Sequence, residues 1–167
     1  MNVGRVASLA LALGCAVTGL SATGQPASSR TVALTFDDLP FVAVGAAYLP
    51  AAQRATKDLL GVLAKHRAPA LGFVNEIQLE GPDRDARIAL LQQWIDRGML
   101  LGNHTYSNPD YNTVSIEQFQ EEILKGERVT RRVLASRPSS RLFFRHPMTH
   151  TGDTKGKKEG IEKILAA

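Results

Sequence analysis

The chain has 167 residues, 44% of them hydrophobic and 22% charged. That length and composition suit one globular domain with its own core and exclude a disordered or fibrous chain. The net charge is only +4, and the densest basic stretch, Lys155, Lys157 and Lys158, has no interleaved aromatics, so it reads as a solvated face and excludes a nucleic-acid partner.

The first residues read as an export signal. Arg5 supplies the positive start, residues 6–20 are mostly apolar, and Ala22 and Gly24 give the small residues a signal peptidase reads. A signal peptide over 1–24 and a linker over 25–30 are expected, and with them a secreted or periplasmic protein. The apolar stretch is too short for a comfortable membrane span, so no stable membrane anchor is expected. Cys15, the one cysteine, falls inside this segment and leaves the mature chain without a disulfide.

Beyond residue 30 the pattern alternates. Residues 31–36 are β-branched and apolar and predict a strand, ended by Asp37-Asp38-Leu39-Pro40. Pro50 opens a helix over 50–66, with Leu59, Leu60, Val62 and Leu63 as its apolar stripe. A second strand over 68–74 ends at Asn75-Glu76. A second helix over 83–97 carries Ile88, Leu91, Trp94 and Ile95 at helical spacing and stops at Gly98. A short strand over 99–101 runs into Gly102-Asn103-His104. Ser115 and Gln118 form a capping box for a helix reaching about residue 136, with Ile116, Phe119 and Ile123 inward. A fourth strand over 141–144 ends at Arg145-His146-Pro147, and a last helix begins near Thr154.

Strands alternating with helices imply parallel strands in an α/β layer or barrel. In such architectures the carboxyl ends of the strands share one rim, and sites form there. Asp37, Asp38, Asn75, His104 and Arg145 each follow a strand, so chain order alone gathers them around one pocket. Of the two aspartates, one can ligate a metal while the other stays free as a base; a turn before Pro40 is the alternative use of the pair. His104 and Asn108 share a face if their segment makes one helical turn. Arg145 is a strong partner for a carboxylate. His146 and His150 read as structural loop histidines.

Together, Thr35-Phe36-Asp37-Asp38, the segment from His104 to Asp110, and Arg145-His146-Pro147 resemble the first three motifs of the polysaccharide deacetylases, the NodB-homology domains of carbohydrate esterase family four. The resemblance runs from about residue 32 to 152. It implies a distorted (β/α) barrel and hydrolysis of an acetamide on an N-acetylated sugar polymer. It further implies Asp37 as general base, Arg145 as the residue orienting it, and a divalent metal, zinc by expectation, held by Asp38 and His104. Asn108 stands at the third ligand position, where the family pattern has His. Pro147 and Asn75 are expected on the substrate side of the rim.

Two departures qualify the expectation. Asn108 offers an amide oxygen where zinc prefers imidazole. A barrel of this kind typically takes ~200–250 residues, and the family's later motifs, with an aspartate and a general-acid histidine, have no counterpart here. The chain therefore reads as a partial barrel of about four β/α units over 31–167, truncated towards its C-terminus. Its alternative function is a non-catalytic carbohydrate- or cell-wall-binding remnant of the same fold. A phosphatase reading is set aside, because Asp37-Asp38-Leu39-Pro40-Phe41 does not fit an Asp-x-Asp-x-Thr loop.

Overall fold

Apolar, β-branched runs separated by amphipathic segments fold here as four parallel strands with helices between them. The structure, a computed structural model, describes residues 31–42, 48–137 and 141–166. The expected signal peptide and linker lie outside the described residues. The strands are β1 (Leu34–Leu39), β2 (Ala70–Val74), β3 (Leu100–Asn103) and β4 (Phe143–Phe144). They hydrogen-bond in the order β1-β2-β3-β4, every pair parallel. Sequential order with all strands parallel is the arrangement that right-handed β-α-β crossovers produce, and the expected α/β architecture of four units is the one observed.

The helices are α1 (Tyr48–Lys65), α2 (Arg84–Asp96), α3 (Ile116–Lys125), α4 (Arg128–Leu134) and α5 (Lys155–Ala166), with 3₁₀ turns at Glu76–Leu79 and Pro147–Thr149. No helix among the described residues is long and apolar enough to cross a membrane. On α1 the buried residues are Tyr48, Ala52, Thr56, Leu60 and Leu63, a 3–4 spacing that marks one face. Val62, expected in that stripe, is more than half exposed. On α2, Leu90, Leu91, Trp94 and Ile95 are buried, and Phe36 of β1 meets the Trp94 ring edge-on at 5.7 Å. Leu91, Trp94 and Ile95 join Val74, Leu101, Val129 and Val133 in the main core, while Leu90 packs with Tyr48 and Ala52 of α1. Gly98 adopts φ +82° just beyond α2, the left-handed stop its position predicted.

Two expectations are corrected. β1 continues through Asp37 and Asp38 to Leu39, so the aspartates stand on the strand end, with a register shift between Phe36 and Leu39. The single helix expected to reach residue 136 is two. α3 starts with the predicted Ser115–Gln118 capping box and breaks at Gly126. A Cβ there would collide with the backbone of Thr105 and Tyr106, so only glycine lets the chain pass this close. α4 then restarts under Glu76, a buried side chain whose Oε1 accepts from the amides of Val129 and Thr130, both at 2.7 Å, and from Thr130 Oγ1 at 3.0 Å. A carboxylate on the free N–H groups of a helix start satisfies donors that otherwise lack partners.

Candidate active site

Alternation along β1 puts Thr35 and Asp37 on one face, and Arg145 takes both. Its Nη2 donates to Thr35 Oγ1 at 3.2 Å, and its Nε lies 3.5 Å from Asp37 Oδ1. The guanidinium also lies over the Phe73 ring, 4.6 Å from its centre. Gly102 makes room for that ring: a Cβ there would meet its edge at 2.7 Å. Arg145 and Asp37 are each more than a third exposed at the side chain or close to it, 34% and 39%, so water screens the pair.

His104 is buried where β3 ends. Its amide donates to Val74 O at 3.0 Å, and its Nδ1 lies 2.9 Å from the carbonyl of Arg145. A carbonyl only accepts, so Nδ1 carries the proton and Nε2 keeps a free lone pair, the tautomer of a ligating imidazole. Nε2 lies 3.8 Å from Asp38 Oδ1, too far for a hydrogen bond. Asp38 Oδ1 and Asn108 Oδ1 are both buried without a hydrogen-bond partner. Orphaned buried oxygens are costly. Asp38 Oδ1 faces His104 Nε2 and Asn108 Oδ1 lies in the loop that follows His104; carboxylate and amide oxygens of this kind, with an imidazole nitrogen, fit a divalent cation. Among the described residues no three His, Cys, Asp or Glu side chains converge as a metal-holding group, so the third donor on offer is the Asn108 amide oxygen.

The loop carrying Asn108 departs from the expected helical turn. Thr105 and Asn108 adopt φ +67° and +63°, and the Asn108 amide donates to Thr105 Oγ1 at 3.1 Å. Left-handed bends, not an i, i+4 helix face, set its position. Asp110, a conceivable substitute ligand, is engaged elsewhere: it accepts from His150 Nδ1 at 2.7 Å and from the Asn112 amide at 2.8 Å. Those two bonds, His150 foremost, hold its carboxyl below the ordinary range.

Two residues expected to face substrate are inside instead. Asn75 is 1% exposed, and its amide donates to the carbonyls of His104 and Thr105. It fixes the backbone of the imidazole segment because its strand ends beneath that loop. Pro147 is buried as the first residue of a 3₁₀ turn, where a fixed φ shapes the chain after Arg145. His146 reads as structural: it stacks on Phe119 at 5.9 Å and 7°, and burial pushes its imidazole pKa down. Sequence reasoning missed Thr35, Phe73 and Glu76. The alternation of β1 already implies Thr35; nothing local marks the other two.

An open-rimmed parallel sheet that assembles a carboxylate pair, a prepared imidazole and an arginine at its strand ends has the layout of a hydrolase site. The family model for polysaccharide deacetylase matches residues 24–160. A peptidoglycan-N-acetylglucosamine deacetylase of Bacillus cereus is 28% identical over 122 residues, which is 73% of this chain and 38% of that protein. A chitooligosaccharide deacetylase of Sinorhizobium fredii is 32% identical, over 66% of this chain and 42% of that protein. Among solved structures, the chitin deacetylase of Colletotrichum lindemuthianum superposes with a TM-score of 0.57 at 25% identity, covering 79% of this chain and 51% of its own. A family-four pseudoenzyme from Bacillus anthracis shares the fold at a TM-score of 0.55, covering 81% and 41% at 20% identity. The chain belongs to the polysaccharide deacetylase family. It spans about two fifths of the length of the curated relatives named here.

Proposed function

We propose that this protein acts on N-acetylated polysaccharide, cleaving acetamide groups to acetate and free amine. The observation that carries the reading is Asp38 Oδ1, buried without a hydrogen-bond partner and 3.8 Å from His104 Nε2, with a second unpartnered oxygen, Asn108 Oδ1, in the loop that follows His104. Asp38, His104 and Asn108 would hold a divalent cation, zinc by expectation. When bound, such an ion supplies polarisation of the acetamide carbonyl and an acidified water. Asp37 would take the proton from an attacking water as its oxygen bonds to the carbonyl carbon. Arg145, itself held by Thr35 and Phe73, keeps the Asp37 carboxylate turned to that task. The C–N bond would then break as the nitrogen takes back the proton held by Asp37, leaving as the free amine while acetate remains. Residues 1–24 would direct the protein out of the cytoplasm, where such polymers lie. The deacetylase activities of the similar proteins support the substrate class.

Asn108 favours a second reading, a non-catalytic carbohydrate-binding protein, because a neutral amide is a weak third ligand. Asn108→His separates the two. On the catalytic reading the variant binds zinc at least tenfold tighter and releases more acetate from N-acetylglucosamine oligomers. Tight zinc binding and sugar binding with no acetate from either form would leave the binding reading standing.

A further inference from the structure

The chain from Thr105 to Val114 carries Asn108 and has almost no regular hydrogen bonding along its length, yet it is fastened from outside. Glu122 of α3 holds its start, accepting from the Tyr106 amide at 3.0 Å and the Ser107 amide at 2.7 Å, and Lys157 of α5 holds its far half. Its side chain is 20% exposed, and its Nζ donates to Tyr111 O at 3.0 Å and Asn112 O at 2.9 Å. Tyr111 returns the contact: its hydroxyl donates to Lys157 O at 2.8 Å, and its ring is fully buried and stacked on Phe119 at 4.2 Å. Asp153 lies 3.5 Å from the same ammonium. Gly152, just before α5, lies against the helix start: a Cβ there would meet Lys157 Cβ at 2.7 Å. One residue before Tyr111, Asp110 is bound by His150, which belongs to the chain leading from Arg145 into α5. An ammonium on two main-chain carbonyls is charge-assisted and stronger than a neutral bond.

We propose that Lys157, with the Asp110–His150 pair, is a positioning device that sets the left-handed loop presenting Asn108, so that α5 fixes the geometry of the third ligand position. The proposal rests on the metal-site reading above. It assigns a task to the one lysine of the basic stretch that is not solvated. It also explains why the loop needs α5: removing the two Nζ contacts leaves the carbonyls of Tyr111 and Asn112, three and four positions after Asn108, without that partner.

The test compares the full chain with Lys157→Met, which keeps the apolar stem, and Lys157→Arg, which restores donors. Amide hydrogen exchange is measured without metal, and Co²⁺ affinity on the same samples. Lys157→Met should speed exchange at Ser107, Asn108, Asn112 and Thr113 while β2 and β3 amides stay unchanged, and should weaken Co²⁺ about tenfold. Lys157→Arg should recover most of both. Exchange in Lys157→Met equal to wild type overturns the proposal. So does an increase shared equally with the sheet, or unchanged Co²⁺ affinity beside a loosened loop. A wild-type chain that binds no Co²⁺ sinks the metal-site reading instead, while the exchange pattern still decides the fastening.

Discussion

Replacing Glu76 by alanine probes the least visible support of the site. The side chain is 3% exposed, and one oxygen accepts three bonds from the start of α4, at 2.7, 2.7 and 3.0 Å. A hydrogen bond to a charged group contributes ~1.5–3 kcal/mol, and an unpartnered buried donor costs about 1–3 kcal/mol. Three donors on one oxygen share its charge, so the bonds do not add fully, and a loss of about 3–4 kcal/mol is expected. That is a large part of the ~5–15 kcal/mol typical of a domain. Glu76→Gln retains an acceptor oxygen but not the charge, and should lose about half as much. Urea unfolding followed by tryptophan fluorescence reads the difference, since Trp94 sits in the same core. A loss below about 0.5 kcal/mol for Glu76→Ala, the range of ordinary surface changes, would refute the idea that this carboxylate anchors α4.

Gly126→Ala should destabilise by about 2 kcal/mol or more, because the new methyl meets main chain that cannot swing aside; a melting temperature within error of wild type would contradict the close approach. His146 titrates in a stability measurement. Burial pushes its native pKa below the ordinary value near 6.5, so the unfolded chain takes the proton first. Stability is full above about pH 6.5 and falls as pH drops below it. His146→Phe, which can keep the stack on Phe119, should flatten that acid slope; an unchanged slope from urea unfolding across pH 7 to 5 would show that His146 is not its source. Thr35→Val removes the acceptor of Arg145 Nη2. It should lower kcat about tenfold if Arg145 orients Asp37, with little change in melting temperature, and equal losses in both would assign Thr35 to folding alone.

Chain order displayed the rim because a parallel α/β topology gathers strand ends whatever their sequence, so Asp37, Asp38, His104 and Arg145 could be placed together before any coordinates. Periodicity found the helices and three of their caps or stops: Pro50 within the first turn of α1, Ser115 with Gln118, and Gly98. What stayed hidden depends on contacts between segments far apart in the chain. Glu76 touches Val129 and Thr130, Gly126 touches Thr105 and Tyr106, and Arg145 touches Thr35. No local window contains such pairs, so the helix break at 126 looked like continuous helix. Asn75 illustrates a different failure. Its position at a strand end was read correctly, but the direction of its side chain depends on where the His104 loop lies, and it points into that loop.

Backbone conformation gives a further reason to regard the rim as built. Among the described residues, six non-glycine positions have φ between +51° and +67°. Arg67 follows α1; of the other five, Asp38 stands at the end of β1, and Thr105, Asn108, Met148 and Thr149 lie in the chain following β3 or β4. Each such conformation costs of order 1 kcal/mol for a residue with a Cβ and persists only where surrounding contacts impose it. Here the contacts are identifiable: Asn75 on the carbonyls of His104 and Thr105, the Asn103 side chain on the Thr105 amide at 2.7 Å, and Thr105 Oγ1 on the Asn108 amide. Position 108 therefore asks first for a residue that tolerates φ near +63°, and asparagine and histidine are both among the few that do. On this argument the family's His and the Asn present here suit the same backbone shape and differ in the donor atom they offer. It follows that Asn108→His should be accepted without a folding penalty, and a melting temperature lowered by more than about 4 °C, roughly 1 kcal/mol for a domain of this size, would mean that the loop has been reshaped around the amide.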